Sequence, residues 1–130
     1  GFVMGAQLTH PESVVWAIYG DGAFGYSLIE FDTFVRHKIP TIAVIGNDAG
    51  WSQISRDQVD ILRDPIGTKL EHTNYHQAVK ALGGVGFHIE DDDEIESVLS
   101  KARESAKAGN AVAVNVKIGK TDFRKGSISM

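Results

Sequence analysis

The stretch VVWAIYGDGAFGYSLIEFDTFVRHKIPTIAVIGNDAG, residues 14–50, decides the fold. It opens with an apolar run, 14–19, that breaks at Gly20-Asp21-Gly22, and closes with a second run, 41–45, that passes through Gly46 into Asn47-Asp48. Short apolar runs bounded by turn residues are the pattern of strands covered on both faces. Between them Phe24, Leu28, Phe31 and Val35 recur at helical spacing, Arg36, His37 and Lys38 place positive charge at the negative end of the helix dipole, and Pro40 ends the helix. If both runs are parallel strands, Asp21 and Asp48 emerge together at the carboxyl edge of one sheet, where open α/β folds place their ligands. Two hard oxygen ligands beside glycine-rich turns point to a divalent cation bound to a phosphate.

Moving outward, residues 85–89 and 111–116 read as two further strands, with Phe87 and His88 making the first of these the weaker. Ile95, Val98, Leu99, Ala102 and Ala106 form one apolar stripe between Asp92 and Ala108, with Asp93 and Glu96 in capping-box register and Gly109 as a stop. Thr73 is placed to cap a helix running through Leu82, closed by Gly83-Gly84. Residues 52–72 have mixed polarity and contain Pro65-Ile66-Gly67, which reads as a long loop with a short helical turn. Strands alternating with helices imply an α/β fold: a three-layer parallel sheet with helices on both faces. Residues 1–118 are expected to form the domain and 119–130 a tail, in which Lys120, Arg124 and Lys125 among Ser and Gly favour disorder.

The 130 residues, 42% hydrophobic, can bury the core of one domain. Lys plus Arg number 13 against 17 for Asp plus Glu, a net charge of -4, so no general attraction to nucleic acid or anionic membranes is expected. Any phosphate must be held locally. The absence of cysteine excludes thiolate metal sites, thiol nucleophiles and a disulfide framework. No apolar stretch approaches the roughly 18 to 20 residues of a membrane span, so this piece is expected to be soluble. The opening Gly-Phe-Val-Met-Gly-Ala reads like an element cut midway, which implies the carboxyl-terminal part of a larger chain.

At the first edge motif, glycine allows a sharp turn, and the N–H groups of Gly22 and Ala23 at the start of a helix face toward an anion such as a diphosphate. Asp21 adds a hard oxygen suited to magnesium, which takes one or two carboxylates together with substrate phosphates. The second motif, Asn47 to Gly50, supplies another side-chain oxygen and backbone carbonyls. A lone Gly-Asp-Gly is usually a turn. Here 24 residues, Ala23 to Gly46, separate the two motifs in a strand-helix-strand context.

That spacing resembles the diphosphate-binding signature of thiamine diphosphate enzymes, a Gly-Asp-Gly followed after some two dozen residues by Asn-Asn. GDGAFGYSLIEFDTFVRHKIP and GNDAGWSQISR are similar to the acetolactate synthase-like branch, whose animal members include a 2-hydroxyacyl-CoA lyase. The resemblance implies thiamine diphosphate and Mg2+ as cofactors. It implies Asp21, Asp48 and the carbonyl of Gly50 as metal ligands, Gly22 and Ala23 as amide contacts to the diphosphate, and Trp51 and Ser52 beside it. Asn47 would support these from behind. Asp48 departs from the common signature, which has a neutral amide there, and adds negative charge beside an anionic cofactor.

The resemblance also implies partners. The glutamate that activates the cofactor belongs to a separate pyrimidine-binding domain, of the same or a second subunit, and no residue of this chain matches it. The parent is thus expected to be a homodimer or homotetramer acting on a 2-hydroxyacyl-CoA or 2-oxo acid, and the isolated piece to be inactive. Its relatives imply endoplasmic reticulum membrane association for the parent, a cytoplasmic location being the other option. In such enzymes the tail can close over the site.

Other readings compete. His72 and His76 have the spacing of two zinc ligands, but the intervening glutamate and a third ligand are missing. Asp91 to Glu94 lacks the spacing and glycine of a calcium loop and suits a solvated helix start. Trp51 fits the core or an interface as well as a pocket. His10, His37 and His88 show no partner and read as structural or exposed. A magnesium-dependent phosphotransfer domain would use Asp21 as phosphoryl acceptor, Asp48 on the metal and Lys117 after the last strand. A degenerate, non-catalytic relative would keep the fold without the cofactor.

Overall fold

In the computed structural model, which describes residues 1–120, the four apolar runs form one parallel sheet. Its strands are β1 (Trp16–Gly20), β2 (Thr41–Asn47), β3 (Val85–Ile89) and β4 (Ala111–Lys117), ordered β1-β2-β4-β3. The helices are α1 (Phe2–Thr9), α2 (Asp21–Ser27), α3 (Glu30–Arg36), α4 (Ser52–Leu62), α5 (Tyr75–Ala81) and α6 (Ile95–Lys107), the last entered through a 3-10 turn, Asp92–Glu94. What was expected of residues 121–130 lies outside the described residues.

The two central strands explain the layering. Along β2, Ala43 and Ile45 face one side and Ile42 the other; along β4, Ala111 and Ala113 alternate with Val112 and Val114. On the first face Phe24, Phe31 and Phe34 of α2 and α3 join Tyr75 and Val79 of α5. On the second, Val98, Ala102 and Ala106 of α6, four residues apart along one stripe, pack on Ile42, Val112 and Val114. Helices on both faces of a parallel sheet make the expected three layers. Edge strand β1 is less covered: Ile18 is 86% exposed.

Register places the two motifs. Gly20 of β1 pairs with Gly46 of β2, so the chains that leave as Asp21 and as Asn47-Asp48 start level at the carboxyl edge. On the other side Asn47 pairs with Lys117 of β4.

Several local expectations change. The single helix expected after Gly22 is two, α2 and α3, joined where Phe31 N–H bonds to Leu28 O and Asp32 N–H to Ile29 O, both at 3.1 Å. This tightened three-residue bonding keeps Phe31 within 5.8 Å of Phe24, centroid to centroid, and 5.5 Å of Phe34. The expected loop after Trp51 instead begins with the 11-residue α4, which has no buried residue: its apolar side chains Ile54, Val59, Ile61 and Leu62 stand exposed, and their spacing among Gln, Arg and Asp gives the segment its mixed polarity. Thr73 does not cap α5, which starts after Asn74 without a side-chain cap bond; the Thr73 hydroxyl turns back and donates to Glu71 O at 3.4 Å. No capping box forms at Asp93 and Glu96 either; the 3-10 turn occupies that stretch, closed by Glu94 N–H on Asp91 O at 3.1 Å.

Candidate functional site

Asp21 is the first residue of α2 and only 1% exposed. Burying a carboxylate is tolerable only if its oxygens are satisfied. Oδ1 accepts the N–H of Gly22 at 2.8 Å and Oδ2 accepts the N–H of Gly50 at 3.0 Å. The second bond matters most, since it joins the two motifs across 29 residues of sequence. The Gly22 amide expected to face an anion is thus turned onto Asp21 in this structure.

Glycine serves a different purpose from the one expected. Gly20 has ordinary extended angles, φ -76° and ψ 160°, and Gly22 is already helical. What requires glycine at 22 is the Trp51 indole, whose ring atoms would lie 2.5 to 2.7 Å from an added Cβ. Trp51 also meets Tyr26 of α2 with ring centroids 5.6 Å apart. Of the core, interface and pocket roles open to Trp51, the structure gives a half-buried contact that closes one side of the motif.

The residue in the left-handed region is Ala49, at φ 55°, between Asp48 and Gly50. An L side chain there stores about 1–2 kcal/mol, which the surroundings must impose. They do so from two directions. Trp51 N–H donates to Thr68 O at 2.8 Å and Leu70 N–H to Ala49 O at 3.0 Å, forming a bridge in which Gly50 opposes Lys69. From beneath, Asn47, 1% exposed, accepts the Ala49 N–H at 3.3 Å and donates to Thr73 O at 3.0 Å and to Asn115 Oδ1 at 3.2 Å. Asn47 therefore supports the turn from beneath.

Asp48 is half-buried, and its Oδ2 accepts the Ser52 hydroxyl at the start of α4. Direct contacts thus link Asp21 to Gly22 and Gly50 and Gly22 to Trp51, while Asp48 pairs with Ser52, the residue after Trp51. Ala23 lies one residue further along α2 and is exposed. The side-chain donors are carboxylate and hydroxyl oxygens on rigid element ends, the donor type that hard divalent cations take.

Three neighbours were not singled out from sequence. Asn115, 2% exposed in β4, also donates to Thr73 O at 3.1 Å and lies 3.4 Å from His76 Nδ1; one polar residue inside the run AVAVNV was the available signal. His76 in turn stacks on His88 at 4.7 Å, so His88 does have a partner. Burial first, then the nearby His88 and Lys80, lowers the His76 pKa below the usual 6.5. Tyr75 sits close enough to feel Asp21: burial raises its phenol pKa, the Asp21 charge adds to this, and a hydrogen bond with Thr73 opposes both. Lys120 is the third, with its Nζ 3.5 Å from where a Cβ on Gly50 would stand.

For the phosphotransfer alternative, Lys117 is paired with Glu90 at 3.1 Å on the surface, which does not favour its service to an attacking Asp21. Among the described residues no helix is long and apolar enough to cross a membrane.

Comparison with known proteins identifies the family and the fold. The family described as "Thiamine pyrophosphate enzyme, C-terminal TPP binding domain" matches residues 1–116. The mouse protein named 2-hydroxyacyl-CoA lyase 2 is 54% identical over 132 aligned positions, covering 100% of this chain and 21% of its own length. A Mycobacterium bovis protein named "Probable acetolactate synthase" is 34% identical, over 89% of this chain and 21% of its own. Among solved structures, the Rhodococcus jostii thiamine diphosphate-dependent 4-hydroxybenzoylformate decarboxylase superposes with a TM-score of 0.77 at 20% identity, over 92% of this chain and 22% of that one, which shows the shared fold. The chain spans about a fifth of the length of the curated relatives it matches, 21% for the mouse protein. It belongs to the thiamine pyrophosphate enzyme family, as the C-terminal TPP-binding domain.

Proposed function

We propose that Asp21, Asp48 and the carbonyl of Gly50 hold Mg2+, and that this ion and the amide of Ala23, joined by that of Gly22 once it leaves Asp21 Oδ1, hold the diphosphate of thiamine diphosphate, with Trp51 and Ser52 alongside. The observation that carries this reading is the bond from Gly50 N–H to Asp21 Oδ2, 3.0 Å, which brings the two motifs to one point. When bound, the cofactor supplies the carbon chemistry: it stabilises the carbanion left when a bond next to a carbonyl is broken or made. The chain's own part is to anchor it. Asp21, buried and fixed by two amides, presents a rigid carboxylate; Ser52 orients Asp48; the strained turn at Ala49 aims the Gly50 carbonyl.

The parent enzyme, on this reading, cleaves or forms carbon-carbon bonds in a 2-hydroxyacyl-CoA or 2-oxo acid. The 54% identity to a protein named 2-hydroxyacyl-CoA lyase 2 supports the former class. A pyrimidine-binding domain, of the same or a second subunit in a homodimer or homotetramer, supplies the activating glutamate.

Calorimetric titration of the full-length protein with thiamine diphosphate tests the assignment. Binding is expected only with Mg2+ present, to be retained by Asp48→Asn and abolished by Asp21→Ala. Unchanged binding by Asp21→Ala would refute it.

A further inference from the structure

Nothing in the motif spacing singles out Lys120, yet the structure carries it to the site. Beyond β4, the N–H of Ile118 continues the ladder by donating to Asn47 O at 3.0 Å. The Ile118 side chain rests over Gly46, its Cδ1 3.1 Å from the position of an added Cβ. Two residues on, the Lys120 ammonium lies beside Gly50, 3.5 Å from the Cβ position there, with Ser52 Oγ 3.6 Å from the same point. The ion pairs among the described residues are Arg36 with Asp32, Lys107 with Glu104 and Lys117 with Glu90, and Lys120 enters none of them.

Charge explains why a cation belongs at this point. Asp21 and Asp48 both bring carboxylates to a place that, on the reading above, receives a multiply charged diphosphate; a single divalent metal leaves that ensemble strongly negative. With a neutral amide at 48 the excess would be one charge smaller. An ammonium beside Gly50, two residues past Asp48 and on the same side as the Ser52 hydroxyl, offsets the extra charge, and a lysine is suited to this because it acts on phosphate as a compact point charge.

We propose that Lys120 is an anion-binding residue of the cofactor site, contacting the metal-bound diphosphate and offsetting the carboxylate of Asp48. The proposal rests on the diphosphate and magnesium assignment.

The test is calorimetric titration of the full-length protein with thiamine diphosphate at saturating Mg2+. Lys120→Gln is expected to weaken binding about tenfold and Lys120→Arg to restore it to within about twofold. In an Asp48→Asn background the loss from Lys120→Gln is expected to shrink to about threefold. Wild-type affinity in Lys120→Gln, or no rescue by Lys120→Arg, would overturn the role, and an equal loss in both backgrounds would overturn the pairing with Asp48. Asp21→Ala separates this from failure of the underlying assignment. If it binds like the wild type, the site itself is wrong; if it loses binding while Lys120→Gln keeps it, only Lys120 is wrong.

Discussion

At Gly22 a single methyl group decides whether the first motif can close. A Cβ there would stand 2.5 Å from the Trp51 ring, so Gly22→Ala has to push the indole away from Tyr26. Overpacking of this kind costs about 1–3 kcal/mol. Gly20 has open space and an ordinary φ of -76°, so Gly20→Ala should stay within about 0.5 kcal/mol. Urea unfolding monitored by tryptophan fluorescence checks both, and equal effects would show that the indole does not set the constraint. This contrast was not legible in the sequence, where Gly20 and Gly22 look alike. The acidic residues were legible, because each follows an apolar run directly. Ala49 was not: nothing marks an alanine for φ 55°, which is imposed by Asn47 below and Leu70 above.

Elements divide in the same way. Strands were readable because burial on both faces writes a continuous apolar run, and α6 because its stripe faces one wall of the sheet. Surface helix α4 does carry apolar residues, Ile54, Val59, Ile61 and Leu62, but they stand exposed among polar ones just ahead of Pro65-Ile66-Gly67, so the segment reads as a loop. Between these extremes is the polar bridge from α5 to the sheet, in which His76 meets Asn115 of β4 and His88 of β3. Because burial, His88 and Lys80 hold the folded His76 pKa below the usual 6.5, the unfolded chain binds the proton more readily. Stability from this residue is therefore complete above about pH 6.5 and declines as the pH falls below it, until the folded pKa is passed. Comparing urea unfolding at pH 7.5 and pH 5.5, His76→Gln should lose less stability on acidification than the parent sequence. Identical losses would show that His76 does not carry the effect.

Across the whole molecule, the strand order β1-β2-β4-β3 could not be read from the chain, because parallel strands joined by crossovers can be ordered in several ways. What could be read was that two consecutive strands end in acids, and adjacency of β1 and β2 does the rest: Gly20 and Gly46 pair, and the Asp21 carboxylate reaches Gly50. The return of residues 118–120 over that edge adds Lys120, which depends on β4 lying next to β2 and is invisible to motif spacing. Strand β1 stays exposed on one face, with Ile18 at 86%. The central claim concerns one metal held between two strand ends and a diphosphate. Electron paramagnetic resonance of Mn2+ added to the full-length protein in place of Mg2+ addresses it directly. The account predicts that one Mn2+ per chain is bound tightly only when thiamine diphosphate is present, with phosphorus coupling in its spectrum, and that Asp21→Ala removes the signal. Tight Mn2+ binding without phosphorus coupling, or a signal untouched by Asp21→Ala, would contradict it.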